Sequence, residues 1–343
     1  CRASTAGSMV SLDNKLNSYM REVFIMTPNQ LADEIYHQAR LAGYDDCGII
    51  PIEEMDEYQE RLQERLQHVP GSRPFYEQIK PTMNSRQRFP WAKSIIICTW
   101  WMGRYSLPDS LQGKYARAFF LAPNVTMDDE EKRKKGAFKE WLTAQGLRWD
   151  GGDNGIPFQI GGLRHAAMKA GLGIIRKNNF LYTEHGSFVE LEGFSIDASC
   201  VLRQHHDIKP CAPQCHLCQN HCPTQALSAP FTMNPLQCVS FWNTFGKSQL
   251  PPGFPEKAME SWIIGCDACQ NACPYNQVPS AKPEKGVPEL IRNAMHWLDP
   301  ENMKDASDEV LKEKVLPLCH EHIQELDTLR RSAIRYLKNQ KGQ

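Results

Sequence analysis

The sequence predicts an α/β sandwich over residues 9–199, a cysteine-rich domain over 200–279, and a linker with a short helical segment over 280–343. Strand-like and helix-like hydrophobic runs interleave before Cys200, the pattern of layered α/β domains. Eight of the thirteen cysteines fall between Cys211 and Cys273 in a repeated spacing. Beyond Pro288 the apolar residues Leu326, Leu329, Ile334 and Leu337 recur at helical intervals. Residues 1–8 look like an expression scar before Met9 and are excluded from the fold reading.

The elements follow in order. Residues 28–42 read as a helix: Thr27 can cap it, Pro28 suits its first position, and Leu31, Ile35 and Ala39 share a face. Gly43 ends it. Cys47 to Pro51 reads as a short buried strand, and 53–67 as a charged helix. Residues 94–100, Ser-Ile-Ile-Ile-Cys-Thr-Trp, form a β-branched central strand. Gly113 to Phe120 sets polar groups, among them Tyr115 and Arg117, among aromatics. From Asp128 to Lys135 acids precede bases, which suits a helix N-terminus, and that helix runs through Leu142. Its Lys/Arg quartet reads as a solvated face. Residues 150–162 are glycine-rich, so the backbone there takes special angles or lies close to something. A helix covers Leu163 to Lys169, and a loosely alternating strand covers 186–196. Gly171-x-Gly173 lacks the third glycine and the preceding strand of a dinucleotide fingerprint. Arg330, Arg331, Arg335 and Lys338 form a small basic patch on the final helix.

The cysteine runs carry the chemistry. The first reads Cys-x3-Cys-x2-Cys-x3-Cys-Pro at 211, 215, 218 and 222; Cys238 stands alone; the second reads Cys-x2-Cys-x3-Cys-Pro at 266, 269 and 273. This is the pattern of a two-cluster bacterial ferredoxin, in which the last cysteine of each run ligates the other cluster. Cys211, Cys215, Cys218 and Cys273 are thereby assigned to one [4Fe–4S] cluster, and Cys222, Cys238, Cys266 and Cys269 to the second. Pro223 and Pro274 stop each run by fixing φ and withholding an N–H. Zinc ribbons lack the repeated x3-Cys-Pro, and disulfide frameworks suit small secreted domains. The x3 first spacer, where the standard run has x2, is the one departure.

Composition is ordinary for a globular chain, with 41% hydrophobic and 23% charged residues. The net charge of −1 gives no global basic field to attract nucleic acid. No apolar run approaches the roughly 18–20 residues of a membrane span. Free thiols and oxygen-sensitive clusters fit a reducing cytoplasm, so a cytoplasmic protein without a membrane partner is expected.

Ala170-Gly-Leu-Gly-Ile-Ile-Arg-Lys-Asn178, Glu184-His-Gly-Ser-Phe188, Gln38 to Gly48, Cys238 in its Cys-x-Ser setting, and Gly265 to Pro274 occur in one order along the chain. In these motifs the chain resembles the epoxyqueuosine reductase and reductive dehalogenase superfamily, over nearly its whole length. The resemblance implies a nitroreductase-like α/β domain that holds cobalamin base-off. It also implies two clusters that relay electrons from a ferredoxin or flavodoxin to cobalt. Gly171 and Gly173 would let backbone approach the corrin, and Lys177 and Asn178 would touch its amide rim. Arg176 stands where the family has Gly and would add bulk and charge at the pocket wall. The family's Asp-Thr-Gly-Pro acid motif is altered: gap-free counting puts Pro157 at the Asp, and an insertion of one helical turn puts Asp153 there. Asp153 is therefore the candidate acid and Tyr115, near Arg117, the alternative proton donor.

The expected activity is a cobalamin-dependent iron–sulfur reduction of a small organic substrate. The alternatives are epoxyqueuosine reduction in tRNA, reductive dehalogenation, and a non-enzymatic electron-transfer or corrinoid-reactivating role.

Overall fold

The computed structural model describes residues 26–152, 161–245, 250–319, 323 and 325–341. Asp153 and Pro157 lie outside these residues, as do the segments before Met26.

The first helix runs Pro28–Leu41 and begins with a reciprocal cap: the Gln30 N–H donates to the Thr27 hydroxyl, and the Thr27 N–H donates to the Gln30 side chain at 2.9 Å. Among the described residues six strands follow: β1 (Asp46–Pro51), β2 (Ser94–Trp101), β3 (Trp149–Gly151), β4 (Ile174–Ile175), β5 (Leu181–Tyr182) and β6 (Val189–Ile196). Four of them form an antiparallel sheet in the order β1-β2-β6-β3, and β4 pairs with β5 in a separate ribbon. Every position of β2 is buried, because both faces of the sheet are covered. Side chains alternate across a strand, so Ile96, Cys98 and Trp100 join a core with Leu31, Ile35, Phe138 and Leu142. Ile95 and Ile97 point the other way, into a core with Tyr58, Leu62, Leu66 and Ala166. The domain is thus a mixed α/β fold with helices on both faces of the sheet.

Two expectations need correction. Of the basic quartet, Lys132, Arg133 and Lys134 are exposed, but Lys135 is buried and its ammonium meets the Glu192 carboxylate at 2.6 Å. The helix Asp129–Ala144 turns that one position onto the sheet, where the Tyr44 hydroxyl also donates to Glu192. The chain over 280–287 is also no free linker. The Glu284 and Lys285 N–H groups donate to the Arg104 carbonyl, the Ser106 N–H donates to the Lys285 carbonyl at 3.1 Å, and the Lys285 ammonium reaches Glu131 at 3.2 Å. The segment after it adds Leu298, Met303, Leu311, Val315, Leu329 and Ala333 to the same core as Ile96.

In the final helix, Asp327–Lys341, Arg330 is paired with Asp308 and Asp327, and Arg331 lies 3.8 Å from Glu325. Half of the basic patch is therefore neutralised by local carboxylates. Among the described residues no helix is long and apolar enough to cross a membrane.

Candidate iron–sulfur centre

Each cysteine run wraps around one short helix, Leu217–Asn220 carrying Cys218 and Ala268–Asn271 carrying Cys269. Cys211, Cys215, Cys218 and Cys273 line one small cavity, with Arg176, Lys177 and Asn178 as its wall. Three of those cysteines come from the first run and one from the second. Burial, with Cys273 and Cys211 close by, pushes the Cys218 thiol up to about 11. Cys222, Cys238, Cys266 and Cys269 form a second group. Burial raises the Cys266, Cys269 and Cys238 thiols, and the neighbouring thiols of the same group raise them further.

Thiolates are soft ligands that suit iron–sulfur clusters, and the positive irons favour the ionised form. Eight thiols sorted into two fours, one set enclosing a cavity, fit two [4Fe–4S] clusters. Loaded clusters would supply one-electron transfer.

The wall of the first cavity comes from the β4–β5 ribbon. The Lys177 ammonium donates to the carbonyls of Ala212, Pro213 and Cys215 at 3.1, 2.6 and 2.8 Å. The Asn178 amide donates to the Tyr182 hydroxyl at 2.8 Å and to the Cys269 carbonyl at 3.4 Å. Arg176, only 1% exposed, donates to Cys211 Sγ at 3.6 Å and to the Lys209 carbonyl at 2.6 Å. Its guanidinium also lies 3.2 Å from the Tyr275 ring centre.

The corrin roles expected for these residues do not fit these contacts. Lys177 and Asn178 spend their donors on the cluster loops, and Arg176 faces a cluster thiol. The two glycines approach the chain's own backbone. Gly171 has φ +76° and follows the helix Leu163–Lys169; a Cβ on it would lie 2.0 Å from the Gln204 carbonyl oxygen. A Cβ on Gly173 would lie 2.3 Å from the Tyr182 carbonyl oxygen. Gly171→Ala is expected to lower the unfolding free energy by at least about 1–3 kcal/mol, since left-handed strain adds to the clash. Chemical denaturation of the two proteins measures this.

Tyr115 is likewise not a proton donor facing a cavity. It is fully buried in the sheet core, and its hydroxyl donates to the Leu298 carbonyl at 2.7 Å. Burial raises its phenol well above the ordinary range. Arg117 does not reach it as a partner; its guanidinium lies over the Phe188 ring at 4.6 Å. Tyr115→Phe orphans a buried carbonyl and is expected to cost about 1–3 kcal/mol of stability, with iron content unchanged when both are measured.

Several contacts escaped sequence reasoning. The Tyr182 phenol is raised by burial and by Cys273 beside it. Ser187 donates to the Gln270 side chain at 2.7 Å, and Asn276 donates to the Ser187 hydroxyl at 2.9 Å. This network ties the Glu184–Phe188 turn to the second cysteine run. Asp267, between two cluster cysteines, accepts the Arg117 N–H at 2.8 Å, and burial pushes its carboxyl up to about 6. Only the Glu-His-Gly-Ser-Phe motif hinted at any of this.

Residues 211–276 match the 4Fe-4S double cluster binding domain family. An epoxyqueuosine reductase of Leadbetterella byssophila is 37% identical over 134 residues, which covers 38% of this chain and 43% of that protein. One of Synechococcus sp. (strain RCC307) is 30% identical over 182 residues, covering 50% of this chain and 53% of that protein. The chain thus spans about half the length, or less, of the curated relatives it matches. Among solved structures, the epoxyqueuosine reductase of Streptococcus thermophilus superposes with a TM-score of 0.69 at 22% identity, covering 90% of this chain and 80% of that one. An epoxyqueuosine reductase with an epoxyqueuosine-modified tRNA stem loop superposes with a TM-score of 0.67 at 23% identity, covering 91% and 82%. Over the matched stretches the chain is similar in sequence to epoxyqueuosine reductases, and it shares the fold of the solved ones.

Proposed function

We propose that this chain is an iron–sulfur oxidoreductase that removes the epoxide oxygen of epoxyqueuosine in tRNA. The observation that carries the reading is the first four-thiol cavity, walled by Arg176, Lys177 and Asn178 of the preceding domain. A cluster held there abuts the domain in which a substrate would sit. Converting an epoxide to an alkene and water consumes two electrons and two protons, and two [4Fe–4S] clusters each carry one electron. A ferredoxin or flavodoxin is the proposed source of those electrons.

Asp153 is the proposed proton donor, since Tyr115 is bound to Leu298 in the core. The corrinoid of the resemblance finds no holder among Gly171, Gly173, Arg176, Lys177 and Asn178, so no step is derived through cobalt. Reduction of a small organic substrate is the second reading. The altered Asp-Thr-Gly-Pro motif favours it, because the acid that would serve the tRNA substrate is displaced.

The test is anaerobic turnover by the iron-loaded chain with a low-potential reductant, with and without cobalamin, on tRNA bearing epoxyqueuosine. Nucleoside mass spectrometry should show queuosine appearing, and Asp153→Asn should slow it by about 100-fold or more, the usual range for loss of an acid catalyst. Fully loaded protein that neither retains this tRNA at low salt, where phosphate contacts are strongest, nor converts it would sink the reading. Turnover of small epoxides alone would move the assignment to the second.

A further inference from the structure

We propose that Arg176 is a positioning residue that raises the reduction potential of the Cys211–Cys215–Cys218–Cys273 cluster above that of its partner, making this cluster the resting place of the transferred electron. The inference rests on both clusters being present, and it is independent of the substrate.

Arg176 is a buried side chain with a defined set of contacts. It is 1% exposed, donates to Cys211 Sγ at 3.6 Å and to the Lys209 carbonyl at 2.6 Å, and stacks on Tyr275 with Tyr182 on its flank at 5.1 Å. Among the described residues no carboxylate pairs with its guanidinium, and its Nε has no hydrogen-bond partner. A guanidinium stays charged at any working pH, so its positive charge acts on the cluster without neutralisation.

Reducing a thiolate-ligated [4Fe–4S] cluster adds one negative charge to an already negative group. A fixed cation and an N–H donor at a ligating sulfur favour the reduced form, and cluster potentials are set by such hydrogen bonds and charges. At the second thiol group the buried Asp267 carboxyl sits between Cys266 and Cys269 and accepts the Arg117 backbone N–H at 2.8 Å. A buried carboxyl there contrasts with the buried guanidinium at the first site. The first site, with the cation, also touches the α/β domain through Arg176, Lys177 and Asn178. One electron would pass from the second cluster to the first, oxidising one and reducing the other, with no atom transferred.

The test is an anaerobic redox titration followed by electron paramagnetic resonance on the iron-loaded chain. Wild type, Arg176→Met and Arg176→Lys are compared at equal iron content. In Arg176→Met one cluster should become at least about tenfold harder to reduce, a downward shift of about 59 mV for one electron, while the other stays in place. Arg176→Lys keeps the charge but not the planar fork, so it should fall between the other two. Should Arg176→Met load incompletely, Arg176→Lys alone decides: a potential at or above wild type overturns the proposal. Unchanged potentials in a fully loaded Arg176→Met also overturn it, as does an equal shift of both clusters. Incomplete iron loading of wild type would instead count against the cluster reading.

Discussion

Cys273→Ala removes one entire cluster and spares the other, so iron falls from about eight to about four per chain. Cys273 belongs by sequence to the second run, yet it lines the cavity with Cys211, Cys215 and Cys218. Had each run held its own cluster, losing Cys273 would free Cys266 and Cys269. The crossed arrangement makes the opposite prediction. Anaerobic alkylation followed by peptide mapping should find Cys211, Cys215 and Cys218 modified in Cys273→Ala, with Cys222, Cys238, Cys266 and Cys269 protected. The reverse labelling pattern would refute the crossed assignment. Reductase turnover should fall to background, since the cluster that abuts the α/β domain is the one lost.

Lys177→Met is expected to cost about 1–3 kcal/mol, the range for losing hydrogen bonds to a charged donor. The ammonium is 7% exposed and holds three carbonyls within one turn of the cluster loop. Without it, three acceptors lose a charged donor at once, and hydrogen bonds to charged groups are the stronger kind. The loop between Cys211 and Cys215 then keeps only its own Cys215 N–H to Ala212 carbonyl bond at 3.0 Å, so iron retention should fall with stability. Lys177→Arg should rescue poorly, because a planar fork cannot converge on three carbonyls as a point ammonium does. Denaturant unfolding of the iron-free chain checks the first effect. A loss below about 1 kcal/mol would mean that water replaces the ammonium.

The local signals in the sequence were legible where the cause was local. Thr27 and Pro28 mark a helix start from sequence alone, and the β-branched run at 95–97 specifies a strand buried on both faces. The cysteine grouping followed from spacing because three thiols on one short loop must meet one cluster. Tyr115 was misread because its neighbour Arg117 is close in sequence, whereas its actual partner, Leu298, is 183 residues away. Gly171 and Gly173 signalled close approach correctly, but nothing nearby names Gln204 or Tyr182 as what approaches. Lys177 and Asn178 were given to the corrin rim, and Arg176 to the pocket wall, because motif order is one-dimensional. The turn of the β4–β5 ribbon decides which way they face. Lys135 was lost inside a basic run for the same reason, since only the helix phase selects one of four cations for burial.

The shared core has a consequence for the order in which the protein is made. Leu298, Leu311, Val315 and Leu329 pack with Ile96 and Phe194, although the cluster domain is translated between them. In effect the cluster domain is an insertion within a single hydrophobic nucleus. That nucleus stays incomplete until the helix Asp327–Lys341 has left the ribosome, although Leu31, Ile35, Phe138 and Leu142 can already cover part of it. Iron therefore has a defined window for insertion, after the second cysteine run emerges and before the C-terminal segment locks both ends of the cluster domain in place.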